Sequence, residues 1–253
     1  MTENIVVSDE EAVRIITMRR ADKKNALTQA MYLTMSAAID SAQANDAIRC
    51  LVIAGVPGAF TAGNDLEDFL KAGTAASDTA RPNAAMTLLR SLANNTKPLI
   101  AAVDGVAVGI GTTMMFHCDY VIASTAAKFS TPFIKLGLVP EGASSLLMPR
   151  AIGHHRAFAT LVMGRTVSAE DGQAAGFVNQ VVAPDQIEAE TRKVAREICA
   201  LPAEAVAISR KLLKPPPEEL LKRIEQESAL FGERMRSKEA VTAFQSFLAR
   251  KRA

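Results

Sequence analysis

The fifteen residues Thr131 to Ser145 (Thr-Pro-Phe-Ile-Lys-Leu-Gly-Leu-Val-Pro-Glu-Gly-Ala-Ser-Ser) hold one carboxylate, Glu141, among apolar neighbours just ahead of a helix start. Partial desolvation by Phe133, Leu136, Leu138, Val139 and Leu146 would raise its pKa toward the range in which a carboxylate both takes and returns a proton. The same residue also reads as a solvated glutamate in a loop before a helix. This stretch by itself leaves both readings open.

Two other stretches could supply the electrophilic half of such chemistry. Gly55 to Asp65 (Gly-Val-Pro-Gly-Ala-Phe-Thr-Ala-Gly-Asn-Asp) and Gly109-Ile-Gly111 each carry the chain from a strand into a helix, where free N–H groups and the helix dipole favour negative charge. If the N–H groups of Asn64 and Ile110 converge, they form a two-donor oxyanion hole for a carbonyl that becomes an enolate. Each turn alone is also plain turn geometry. A dinucleotide fingerprint fails at Gly109 to Met114, because the third glycine position holds Met114 and no acidic residue ends a following strand. No Gly-Lys-Ser/Thr phosphate loop and no Gly-x-Ser-x-Gly elbow occurs. Metal binding by His117, Cys118 and Asp119 is disfavoured, since consecutive helical residues point in different directions.

The elements that must position these groups follow from patterning. Ile5–Val7 and Ala12–Met18 read as a strand pair around the acidic turn Ser8 to Glu11, and Thr28 caps a helix reaching about Ala44. Cys50–Ala54 and Leu99–Val103 are short, wholly apolar strands of the kind covered on both faces. Asp119–Ala123, Lys128–Ser130 and Val178–Val182 read as further strands. A helix is entered at Asp65, a polar connection spans Lys71 to Asn83, and helices are expected at Ala84–Leu92, Thr112–His117, Ala143–Ala151, near His155–Met163 and at Ser168–Ala175. From Pro184 the chain turns helical: Gln186–Ala200, Pro202–Leu213 and one long helix, Pro217–Arg250. The last carries more apolar residues than a solitary surface helix would expose, which points to packing against another subunit.

The 253 residues are 49% hydrophobic, enough to bury an ample core. Three widely spaced cysteines make neither a disulfide framework nor a zinc site, and a reducing compartment fits. A net charge of +2, with 29 basic and 27 acidic residues spread along the chain, excludes the basic footprint of a nucleic-acid binder. No signal sequence and no apolar run of membrane-spanning length is present, so a cytoplasmic protein that makes no use of a membrane is expected.

Taken in order, Asn25-Ala-Leu, Ala59 to Asp65, Lys97 to Gly105, Gly109-Ile-Gly111, Cys118-Asp119 and Ala175-Gly-Phe-Val178 resemble the crotonase (enoyl-CoA hydratase/isomerase) superfamily over nearly the whole chain. The resemblance implies an α/β fold, a ClpP-like β-β-α superhelix over residues 1–195, followed by a helical trimerisation region over 196–253, assembled as a trimer or hexamer. It implies an acyl-CoA thioester as substrate, with coenzyme A a part of that substrate and no separate cofactor or metal. The thioester carbonyl would lie between the Asn64 and Ile110 N–H groups, next to Gly63 and Gly109, and the adenine near Lys24, Ala26, Ala62 and Leu66, with Asp65 adjoining. Lys251 or its neighbours, from this or an adjacent subunit, would meet the CoA phosphates, and Phe133 with Leu138 would line the acyl site. Hydratases of this superfamily carry glutamates where this chain has Thr113 and Phe133. The chain looks most like the peroxisomal-type Δ3,Δ2-enoyl-CoA isomerases, in which the glutamate matching Glu141 is the single base, and Thr113→Ala is expected to cost little. Residual hydration or another crotonase reaction is the alternative, followed by non-catalytic acyl-CoA binding.

Overall fold

A computed structural model describes residues 2–65, 68 and 83–252, excluding the side chains of 247–252. The chain opens with an antiparallel hairpin, Ile5–Glu10 (β1) and Val13–Met18 (β2), and then the helix Gln29–Gln43 (α1), whose first turn is capped by Thr28 Oγ1 accepting the Met31 N–H. Three strand–strand–helix turns follow: Cys50–Ala54 (β3), Ala59–Thr61 (β4) and Ala84–Asn94 (α2); Leu99–Val103 (β5), Val106–Val108 (β6) and Ile110–Thr113 (α3); Tyr120–Ser124 (β7), Lys128–Ser130 (β8) and Ser144–Ile152 (α4). Beyond them lie His154–Leu161 (α5), Val167–Ser168 (β9), Ala169–Ala175 (α6) and Gln180–Val182 (β10). The chain ends in the helices Ile187–Ala200 (α7), Ala203–Leu213 (α8), Pro217–Met235 (α9) and Lys238–Arg252 (α10).

The first strand of each turn enters one sheet, ordered β1-β2-β3-β5-β7-β10, parallel apart from the hairpin. The second strand enters another, β4-β6-β8-β9, in which only β9 runs antiparallel. Every turn therefore advances both sheets by one strand, which makes the β-β-α superhelix. Side-chain alternation divides the larger sheet between two cores. Leu51, Ile53, Leu99, Ala101, Val103 and Val121 face the main cluster, while Cys50, Val52, Ile100 and Ile122 face a second one closed by Val194 and Ala195 of α7. Coverage on both faces is what the unbroken apolar runs of β3 and β5 require.

Several expectations change. Strand β4, inside the turn-rich stretch Gly55 to Asp65, and strand β6, in a short segment assigned to no element, pair in the second sheet; three residues are too short for an alternating pattern to register. The hairpin strand runs on through the acidic residues to Glu10, and the turn falls at Glu11 and Ala12. The helix expected over Thr112–His117 is one α turn, Ile110–Thr113, continued by the 3-10 turn Met114–His117. The single helix Pro217–Arg250 is two, broken at Arg236 and Ser237, and the break lets α10 fold back onto the turn around Gly137. A boundary after residue 195 falls inside α7. The helix entered at Asp65 and the connection Lys71 to Asn83 lie almost entirely outside the described residues. Among the described residues, no helix is long and apolar enough to cross a membrane.

Candidate active site

The three segments singled out from the sequence leave the C-terminal ends of adjacent parallel strands. β4 ends at Thr61 and gives Gly63-Asn64; β6 ends at Val108 and gives Gly109-Ile110; β8 ends at Ser130 and leads to Glu141. Topology alone thus gathers them at one end of the smaller sheet, beyond the C-terminal ends of its parallel strands, where reactive groups are commonly delivered.

Contacts between the segments are tight. Gly63 has φ +84°, and a Cβ placed there would come within 2.8 Å of Val108 O and 4.0 Å of Gly109 N, so the turns carrying Asn64 and Ile110 touch backbone to backbone. Only glycine permits both that conformation and that approach. The second and third segments are stitched by Gly109 N–H donating to Ser130 O at 2.8 Å and Ser130 N–H donating to Thr112 Oγ1 at 3.0 Å. Among the described residues, neither the Asn64 nor the Ile110 N–H donates within the protein. Two free donors on touching turns make a ready site for a developing oxyanion.

Glu141 is hydrogen-bonded to the helix that follows the Ile110 turn. Thr113 Oγ1, one helical turn beyond Ile110, donates to Glu141 Oε1 at 2.6 Å. On the other side the fully buried Tyr32 of α1 donates its hydroxyl to Asn64 Oδ1 at 2.6 Å, and its pKa is raised by burial first and by the charge of Glu141 second. Glu141 itself is partly buried. Desolvation above all raises its pKa, the Thr113 hydrogen bond pulls it down and the negative charge of Glu227 raises it again, with the balance at about 7. A carboxylate held near neutrality is equally able to accept and release a proton.

The backbone after Glu141 is constrained at three points. Gly142 and Ala143 both take left-handed conformations, at φ +71° and +57°. Gly142 O sits 2.7 Å from Nε2 of buried His117, whose pKa burial lowers to about 4, so the neutral ring donates to that carbonyl. Glu227 of α9, 5% exposed, accepts the Ala143 N–H at 2.6 Å, the Ser145 N–H at 3.0 Å and the Ser145 hydroxyl at 2.5 Å. Phe133 is buried beside Gly109, with its ring edge-on to Phe231 of α9 at 6.4 Å between centroids, and Leu138 is buried nearby in the same cluster.

The remaining expected contacts divide. Lys24, Ala26 and Ala62 come together where Ala62 N–H donates to Lys24 O at 2.8 Å, and Lys24 is exposed. Asp65 accepts from Arg20 Nη1 at 2.6 Å, and that guanidinium also donates to Ala26 O at 2.9 Å, so Asp65 ties the two loops together. Fully buried Asn25 reinforces the tie by donating to Ala59 O and Phe60 O. Leu66 and the Lys251 side chain lie outside the described residues. Asp119 is occupied structurally, accepting from Leu99 N–H and Arg210 Nε. Among the described residues no cluster of His, Cys, Asp and Glu is arranged to hold a metal. A separate cavity of about 590 Å³, between Met115–Asp119 and the Leu213–Leu220 connection, includes neither Glu141 nor the glycine turns. Sequence reading missed Tyr32, His117 and Glu227 as neighbours of Glu141. Each lies far along the chain from the residue it supports, and no local pattern marks it.

Comparison with known proteins agrees with this arrangement. Residues 8–253 match the family described as enoyl-CoA hydratase/isomerase. The chain is 33% identical over 255 residues to enoyl-CoA delta isomerase 2 of Rattus norvegicus, an alignment that takes in 99% of this chain and 64% of the rat protein. It is 34% identical over 253 residues to an enoyl-CoA hydratase of Alternaria alternata, covering 96% and 83% of the two chains. The fold matches the crystal structure of an enoyl-CoA hydratase/isomerase from Pseudoalteromonas atlantica with a TM-score of 0.92 and 32% identity, over 98% of each chain. With a superhelix of this topology and a family match over nearly its whole length, the chain belongs to the enoyl-CoA hydratase/isomerase family.

Proposed function

We propose that the chain converts 3-enoyl-CoA to 2-trans-enoyl-CoA, with Glu141 as the only acid–base group. The carboxylate takes a proton from C2, and the released electron pair makes an enolate whose thioester oxygen is held by the Asn64 and Ile110 N–H groups. When the charge flows back, C2 and C3 become doubly bonded and C4 recovers the proton from Glu141. Proton and electrons balance without water, metal or a second acid, and the only coenzyme involved is the CoA of the substrate.

The observation carrying this reading is the setting of Glu141, a carboxylate raised to about 7 with the hydroxyl of Thr113 and the buried ring of Phe133 at the two positions where hydration would need acids. Hydration of a double bond must activate water and deliver a proton, whereas Phe133 adds apolar surface that excludes water. The partly buried alanines Ala26 and Ala62 beside exposed Lys24 suit an adenine and its phosphates, and residues 1–195 carry the reacting groups, with 196–253 serving assembly and packing Phe231 and Glu227 of α9 against them. The exposed Ile208, Leu212, Leu213 and Leu230 of that helical region support assembly as a trimer or hexamer. A cytoplasmic place in fatty-acid oxidation goes with the proposed substrate.

The test is parallel incubation with 3-hexenoyl-CoA and crotonyl-CoA, followed by absorbance of the conjugated thioester. Conjugation should appear with the first and persist with the second. Its disappearance from crotonyl-CoA, with formation of the 3-hydroxy product, would identify a hydratase instead, and binding without either change would identify a binding protein.

A further inference from the structure

Glu227 is a buried carboxylate that the proposed chemistry does not use, placed on a C-terminal helix 86 positions beyond Glu141. Its two oxygens receive three hydrogen bonds, from Ala143 N–H, Ser145 N–H and Ser145 Oγ, and Arg223 Nη1 donates to the same Ser145 hydroxyl at 3.2 Å. The N–H groups are those of the first turn of α4, which would otherwise be unsatisfied. The receiving turn is also strained: Ala143 is one of few non-glycine residues at positive φ, directly after Gly142 at +71°. A left-handed alanine persists only where surrounding contacts overdetermine it. Because Glu141 immediately precedes this pair, the turn sets where its carboxylate points.

We infer that Glu227 is a positioning residue for Glu141, clamping the left-handed Gly142–Ala143 turn from α9 so that the base stays aimed at the touching glycine turns. This rests on the reading of Glu141 as the base. Apolar burial alone would not hold the turn, since relaxing Ala143 to an ordinary conformation would swing Glu141 off Thr113. The groups facing the pair are few: Arg223 from α9 itself, Thr113 from α3, Tyr32 from α1, and His117 through Gly142 O. Of these only Arg223 is charged, and within the pair the Glu227 carboxylate raises the pKa of Glu141.

The test uses the full-length protein with E227Q, S145A and E141Q. Glutamine keeps the shape but loses one acceptor oxygen and the charge. E227Q should lower kcat on 3-hexenoyl-CoA by about tenfold or more, with KM within about threefold, because misplacing a catalytic group costs rate rather than binding. It should also move the acid limb of the kcat profile to lower pH, a change that a purely structural role would not produce. S145A, which removes one of the three anchors and no charge, should lower kcat less and leave the limb in place. E227Q that melts with wild type and retains wild-type kcat and acid limb would overturn the inference. So would E227Q that loses CoA-ester binding in proportion to kcat with the limb unmoved. Active E141Q would instead overturn the base assignment, whereas inactive E141Q beside unaffected E227Q overturns only the positioning role.

Discussion

At the scale of single residues, Glu141 is set by three opposing influences of known sign. Burial and Glu227 favour the protonated form, and the Thr113 hydroxyl favours the carboxylate. Removing that hydroxyl in Thr113→Ala therefore raises the pKa further, leaving less ionised base near neutrality and the same amount at high pH. The kcat profile of Thr113→Ala should keep its plateau at high pH within a few-fold while its acid limb moves upward. A downward or unmoved limb would mean that the Thr113–Glu141 hydrogen bond does not form in solution. The expectation from sequence that this substitution costs little is thus sharpened: the cost depends on pH. The notion of Glu141 as a candidate base was legible from its apolar neighbours, but the choice between base and loop glutamate was not. The setting that favours a base comes from Thr113 of α3, which donates to Glu141, and from the nearby Tyr32 of α1 and Glu227 of α9, which no local pattern marks.

At the scale of elements, the site is a consequence of three short parallel strands ending side by side. The long members of each turn, β3 and β5, were legible to the residue because a strand buried on both faces is an unbroken apolar run. Their short partners β4 and β6 were not, since Ala59–Thr61 and Val106–Val108 show neither alternation nor length, and their pairing is fixed by neighbours distant in sequence. Convergence of the two glycine turns was invisible for the same reason. It rests on Gly63, whose missing side chain lets Val108 O approach. Gly63→Ala should push the turns apart and place alanine in a left-handed conformation, with a stability loss of about 1–3 kcal/mol and a kcat loss of about 100-fold. Denaturant unfolding and turnover of 3-hexenoyl-CoA measure the two effects, and wild-type kcat in this variant would remove the oxyanion role from the paired turns.

At the scale of the whole molecule, the C-terminal helices are fastened to the superhelix at defined places. Arg210 of α8 donates from Nε to Asp119 Oδ2 at 2.7 Å and from Nη1 to Asn95 O at 2.6 Å, and Lys214 adds a second cation to Asp119. Asp119 also accepts the Leu99 N–H, so one carboxylate joins β5, the start of β7 and α8. Asp119→Asn keeps the side-chain shape but leaves Arg210 without its counter-charge in a mostly buried site. The expected loss is about 2–3 kcal/mol in urea unfolding, with kcat changed little, because Asp119 touches no reacting group. An unchanged midpoint would show that α8 is held by apolar packing alone. The apolar periodicity of the C-terminal third was readable as helix, while the break at Arg236 and Ser237 was not, because no proline or glycine marks it. Ahead of that break α9 brings Phe231 to Phe133 and Glu227 to the Glu141 turn, and beyond it α10 packs on Gly137, so the helical region supports the site.

All three scales meet in the claim that one carboxylate carries the proton, and turnover of 3-hexenoyl-CoA by Glu141→Gln, alongside CoA-ester affinity, tests it most directly. Glutamine preserves size and accepts the Thr113 hydrogen bond but cannot take a proton. The expected result is a kcat lower by about 100- to 10,000-fold with CoA-ester affinity within a few-fold of wild type. Turnover within tenfold of wild type would contradict the claim and place the proton transfer on another group.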